Sequence, residues 1–182
     1  MKKATIQKLD QLDIELRNLL RELEAYSEAK LNEKPDEKSW SVFQVMYHLL
    51  LSEQYSCQYV QKKLSFAPEL KKAGLVSGLR RLALNTYLAT PLKFKAPAVV
   101  NDDLPQQATF WEIAKKWKDQ RVLLRDYLQE LPDEHFNKEI YKHPFAGRLS
   151  LDGMLAFFQG HFKRHKKQIF RTIRKVDAVK QR

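Results

Sequence analysis

Read for apolar and polar positions alone, the chain separates into four long stretches of helical period. From Ala4 to about Leu31, the residues Ile6, Leu9, Leu12, Leu16, Leu19, Leu20 and Leu23 recur at spacings of three and four among charged residues, which predicts one long helix with a single apolar stripe. Pro35 and its polar neighbours end it. A second helix starts near Ser39 or Ser41, either able to cap it, and carries Val42, Val45, Met46, Leu49 and Leu50 to about Lys63. Thr109 and Glu112 have capping-box spacing and open a third through Trp111, Ile113, Ala114, Trp117, Leu124 and Leu128, which Pro132 stops. After a loop holding His143, Pro144 and Gly147, Ser150 caps a fourth helix that carries Leu151, Met154, Leu155, Phe158, Phe162, Ile169, Ile173 and Val176.

Residues 65–108 do not read as one element. GLVSGLRRLALNTYLAT fits a short helix, whereas PLKFKAPAVVNDDLP reads as extended and irregular, because its three prolines bar continuous helix. A connection this long in a compact domain usually crosses the bundle or lines a site. The pattern as a whole predicts an all-α four-helix bundle with a long crossover between helices 2 and 3. At 182 residues and 43% apolar composition the chain is sized for a single domain, 1–182, with no internal repeat and no low-complexity segment.

Charge and cysteine content narrow the chemistry. The formal net charge of +11 favours polyanions or acidic small molecules as partners through the summed field, without defining a site. One cysteine, Cys57, excludes an internal disulfide and a cysteine-based zinc site, so any ion would be held by histidine or carboxylate. There is no long apolar run, and the N-terminus lacks the apolar centre of a signal peptide, so a soluble, cytoplasmic protein without membrane contact is expected. No Gly-rich phosphate loop, HExxH or G-x-S-x-G elbow is present, which argues against nucleotide-dependent, zincin-protease and α/β-hydrolase chemistry.

The fourth helix holds the most suggestive pair. His161 and His165 lie within its apolar stripe, four residues apart, so their Cβ atoms fall about 6 Å apart on one face and both imidazoles can reach one ion. His48 sits at the edge of the second helix's stripe, and inward-facing histidines from two helices of a bundle can form a three-nitrogen site. Three protein ligands leave positions open for water or substrate. The same spacing also suits core histidines making ordinary hydrogen bonds. Of the other two, His135 reads as a solvated loop residue, and His143 either adjoins the site or belongs to a turn.

SWSVFQVMYHLL, the loop KHPFAGRLSL and the helix MLAFFQGHFKRHKKQI together resemble the DinB/YfiT-like superfamily of metal-binding four-helix bundles. A tryptophan before the second helix, a histidine within it, an HP-xx-G turn and a closing HxxxHxxQI match in order and spacing, over nearly the whole chain including PLKFKAP. The resemblance implies that His48, His161 and His165 are a metal triad holding a divalent transition metal, nickel or zinc, between which imidazole chemistry does not choose. It further implies a metal-dependent hydrolase or thiol transferase acting on a small molecule, with a low-molecular-weight thiol such as bacillithiol or mycothiol as cosubstrate, and a homodimer.

Several side chains are placed to support such a site. Gln44 lies one turn before His48, and Ser52 and Tyr55 lie one and two turns after it on roughly the same face, where they could hold a metal-bound water or substrate or simply bond between helices. Gln168, three after His165, could orient a ligand or pack. Glu53 and Glu112 are possible general bases, each equally explained as a solvated or capping residue, and Cys57 faces away from the triad. The alternative to an enzyme is a metal-stabilised binding or interaction module, with Trp111, Trp117, Phe157 and Phe170 as interface or core. In that reading, nucleic-acid contact through the basic last helix is disfavoured, because the basic residues spread around the helix and no recognition motif is present.

Overall fold

The structure, a computed structural model, describes residues 1–90 and 104–180. The fold is the all-α four-helix bundle that the pattern predicts. Its long helices are α1 (Lys2–Leu23), α3 (Val42–Ser65), α5 (Phe110–Glu130) and α6 (Leu151–Lys180), with a short α2 (Glu28–Asn32) and a fifth substantial helix, α4 (Leu75–Ala89). Each of α1 and α3 packs against both α5 and α6, so α1 and α3 occupy one diagonal of the bundle and α5 and α6 the other. Among the described residues no helix is long and apolar enough to cross a membrane.

The caps explain where the helices begin. Ser41 closes a full capping box on α3: its Oγ accepts from Gln44 N at 3.2 Å and Gln44 Oε1 accepts from Ser41 N at 3.1 Å. Thr109 Oγ1 accepts from Glu112 N at 3.2 Å at the start of α5, and Ser150 Oγ accepts from Gly153 N at 3.1 Å at the start of α6. The first predicted helix is corrected: it ends at Leu23 instead of Leu31. Leu23 and Leu31 are both fully buried, so the apolar stripe continues across a turn at which Ser27 Oγ accepts from Lys30 N and restarts the helix.

The short helix expected in residues 65–108 is α4, which lies outside the four-helix core against α6. A methyl group at Gly160 would sit 3.0 Å from Leu88 Cδ1, so α4 approaches the backbone of α6 directly. Most of the extended segment, PLKFKAP included, falls in 91–103 and lies outside the described residues. The loop before α6 is a hairpin of β1 (Tyr141–His143) and β2 (Gly147–Leu149), antiparallel with Tyr141 opposite Leu149 and His143 opposite Gly147. Gly147 has φ +76°, a left-handed conformation that costs other residues energy.

Glu53 is neither solvated nor a free base. It is 3% exposed on α3 and receives Arg121 of α5 bidentately, Nε at 2.5 Å and Nη2 at 2.7 Å, while Arg121 Nη1 also reaches Asp13 at 3.1 Å. The sequence pattern gave no sign of this partner, 68 residues away. The four aromatic residues considered for an interface do not share a surface: Trp117 is fully buried against Phe162, Phe157 is buried, Phe170 is half-buried and only Trp111 is largely exposed. His135 is half-buried in a 3-10 turn, Asp133–Asn137, instead of solvated.

Candidate metal centre

Adjacent helices α3 and α6 bring His48, His161 and His165 together. One ring nitrogen from each lies within 4.8 Å of the others. His48 Nε2 and His161 Nε2 are 3.1 Å apart, and the three ring centroids are separated by 5.0 Å, 4.9 Å and 4.5 Å. Two imidazoles on one tetrahedral ion, each at about 2.0–2.1 Å, would hold their nitrogens roughly 3.3 Å apart, so this donor set fits a single small divalent ion with little movement.

The surroundings fix the rings. His165 Nδ1 donates to Gln168 Oε1 at 2.8 Å, which leaves its Nε2 lone pair free to bind an ion. Phe157 stacks on His161 at 5.0 Å and 20°, and Trp40 lies 5.1 Å from the His48 ring. Burial, then the neighbouring His165 and His48, hold the His161 pKa well below its ordinary value; burial and then His48 push His165 down to about 3. Both are therefore neutral near pH 7, the protonation state in which imidazole is a ligand.

The other expected residues divide. Ser52 and Tyr55 line the same cleft as the triad, and Ser52 Oγ donates to the His48 carbonyl at 2.8 Å. His143 lines it too, against Phe157 at 4.5 Å, and its Nδ1 accepts from Phe145 N and Ala146 N at 3.2 and 3.1 Å. Those two bonds leave the ring proton on Nε2, and burial lowers the pKa to about 4. Gln44 is not a cleft residue: both ends of its amide are engaged, by the Ser41 cap and by Pro105 O at 3.3 Å. Glu112 closes the α5 cap, and Cys57 sits in the core, where burial pushes its thiol up to about 12. Cleft residues that sequence reasoning missed come chiefly from α4, including Arg80, Asn85 and Tyr87. Nothing in the helical period of α4 signals which side of it faces the triad.

These pKa values have a consequence for the metal-free protein. His143 and His165 titrate below the 6.5 expected of an exposed histidine, so between about pH 6.5 and their folded values the unfolded chain binds protons that the folded chain does not. Stability is therefore full above about pH 6.5 and falls as the pH drops below it, by up to about 1.4 kcal/mol per pH unit for each histidine. Thermal unfolding of chelator-treated protein from about pH 7.5 to about pH 5 should show a falling Tm, with a shallower slope in His143→Asn. Equal slopes would remove His143 from the effect.

The comparisons with known proteins agree with this architecture. A structure described as "YfiT from Bacillus subtilis is a probable metal-dependent hydrolase with an unusual four-helix bundle topology" superposes with a TM-score of 0.59 at 18% identity, over 95% of this chain and 86% of that one. No curated protein sequence matches. The family description "DinB superfamily" matches residues 11–169, which span His48, the hairpin and both histidines of α6. With a family match over most of its length and the four-helix bundle to go with it, the chain belongs to the DinB superfamily.

Proposed function

We propose that this protein is a metal-dependent enzyme, of the hydrolase type or transferring a low-molecular-weight thiol, that acts on a small molecule through a divalent ion held by His48, His161 and His165. The observation that carries the reading is the convergence of three imidazoles from two helices on the wall of a large cleft, with two Nε2 atoms 3.1 Å apart. The probable metal-dependent hydrolase that shares the fold favours hydrolysis; nickel and zinc fit the donors equally. When bound, such an ion lowers the pKa of water or a thiol so that the nucleophile exists near neutral pH.

The chain's own residues contribute placement. Gln168 holds the tautomer of His165, Phe157 and Trp40 hold ring orientation and exclude water on one side, and Ser52 and Tyr55 border the space a substrate would occupy. His143, with its ring proton on Nε2, is a hydrogen-bond donor and not a general base. Cys57 is buried in the core, so a thiol in the reaction would have to be supplied from outside.

The test is turnover by nickel- or zinc-loaded protein of small esters, amides and phosphate esters, and of an electrophile with an added thiol. Turnover that is abolished by a chelator and restored by the ion is expected. A loaded protein that turns over neither class, yet gains thermal stability from the ion, would favour the metal-stabilised interaction module instead.

A further inference from the structure

The cleft beside the triad has a volume of about 1510 Å³ and is walled by α3, α4, α6, the hairpin and the loop before α3. Lys38, Arg80, Lys142, Lys167, Arg171 and Lys175 line it, and among the described residues no Asp or Glu does. In a chain with 22 acidic residues against 33 lysines and arginines, a described wall this large without one carboxylate is a local feature that the average charge does not produce. Six cations from four separate segments face one space.

Their partners reinforce the point. Arg80, Lys142, Lys167 and Arg171 have no ion-pair partner among the described residues. Two further lining cations are engaged elsewhere: Lys163 approaches Glu15 at 3.7 Å, and Arg164 donates to the Thr90 and Leu88 carbonyls at the end of α4. Lys175 acts on Asp36, whose carboxylate also accepts from Ser39 and Lys38. Along α6, Lys163, Lys167, Arg171 and Lys175 recur every fourth residue, a spacing at which like charges destabilise a helix. Of the seven lysines and arginines between 163 and 175, five border the triad's cleft. Aromatic rings line the same space, among them Trp40, Tyr87, Phe145 and Phe157.

We infer that the cleft binds an organic anion, a phosphate, sulfonate or carboxylate carried on an apolar or aromatic body. Its assignment as the substrate of the metal centre rests on the function proposed above. The three imidazoles are neutral ligands, so a divalent ion there would add two positive charges that no described residue of the cleft wall offsets, and an anion would complete the balance. The concave shape, with aromatic rings among the lining cations, suits a small molecule rather than a nucleic-acid backbone lying across an open surface.

Calorimetric titration with phenyl phosphate at low ionic strength tests this, beside inorganic phosphate to measure the part due to the ring. Native protein should bind phenyl phosphate several-fold more tightly than phosphate. Lys167→Glu/Arg171→Glu should weaken binding at least tenfold, while Lys3→Glu/Arg17→Glu, the same change in net charge on exposed positions of α1, should change it less than twofold. Absence of binding, or equal weakening in both double variants, would overturn the proposal, because the summed field would then explain everything. Nickel or zinc uptake by the native protein, measured beside the same titration, separates the two readings. Native protein that binds the anion but takes up no ion leaves this site standing and removes the metal centre, whereas native protein that takes up the ion but binds no anion removes only the anion site.

Discussion

Replacing His161 and His165 together by alanine is expected to abolish stoichiometric binding of nickel or zinc, as read by elemental analysis after gel filtration. Each imidazole supplies one of three donors, and with His48 alone no chelate remains. The thermal readout follows by linkage: an ion at a hundred times its Kd stabilises the folded chain by about 2.7 kcal/mol, or roughly 5–10 °C in Tm for a protein of this size. That increment should appear in the native protein on adding the ion and be missing from the variant. Gln168→Ala is the graded comparison, because it leaves all three donors and removes only the acceptor at His165 Nδ1; affinity should fall about 10–100-fold with stoichiometry kept. Equal metal content in native protein and double variant would rule out the triad.

Arg121→Met is expected to be the most destabilising single change in the bundle, by about 3–5 kcal/mol, or roughly 10 °C in Tm. The guanidinium is 3% exposed and holds Glu53 bidentately, so its loss leaves a carboxylate buried without its counter-charge. Asp13 suffers less, since Arg125 Nη2 also reaches it at 2.6 Å. Replacing the pair together, Glu53→Leu with Arg121→Met, should recover most of the loss, because the buried charge is then gone from both sides. Denaturant unfolding of the three variants decides it: Arg121→Met within about 1 kcal/mol of native would show the pair to be replaceable by water.

Helical period located α3, α5 and α6, and Ser41, Thr109 and Ser150 located their first turns, because caps and stripes are properties of neighbouring residues. The break after Leu23 was invisible for the same reason: Leu31 keeps the apolar period across a turn that only Ser27 marks. Strands of three residues, as in Tyr141–His143 and Gly147–Leu149, are too short to show an alternation. The histidine cluster was legible as a pair plus a distant third, whereas Gln44 pointed toward the site on a helical wheel and is in fact engaged by its own helix cap. Glu53 and the cation-lined wall were illegible, since each depends on which helix lies alongside: α5 for the first, α4 for the second.

The position of α4 has a wider implication for how such a protein can be redesigned. The three imidazoles sit on helices of the bundle proper, while Arg80, Asn85 and Tyr87 sit on a helix laid against the outside of it, fastened at its C-terminal end by Arg164 and seated on Gly160. Under the function proposed above, reactivity and selectivity would be carried by separable parts, as they are where loops decorate a rigid frame. A library confined to the cleft-facing positions of α4 could alter which molecules are accepted while every core leucine and every imidazole stays in place.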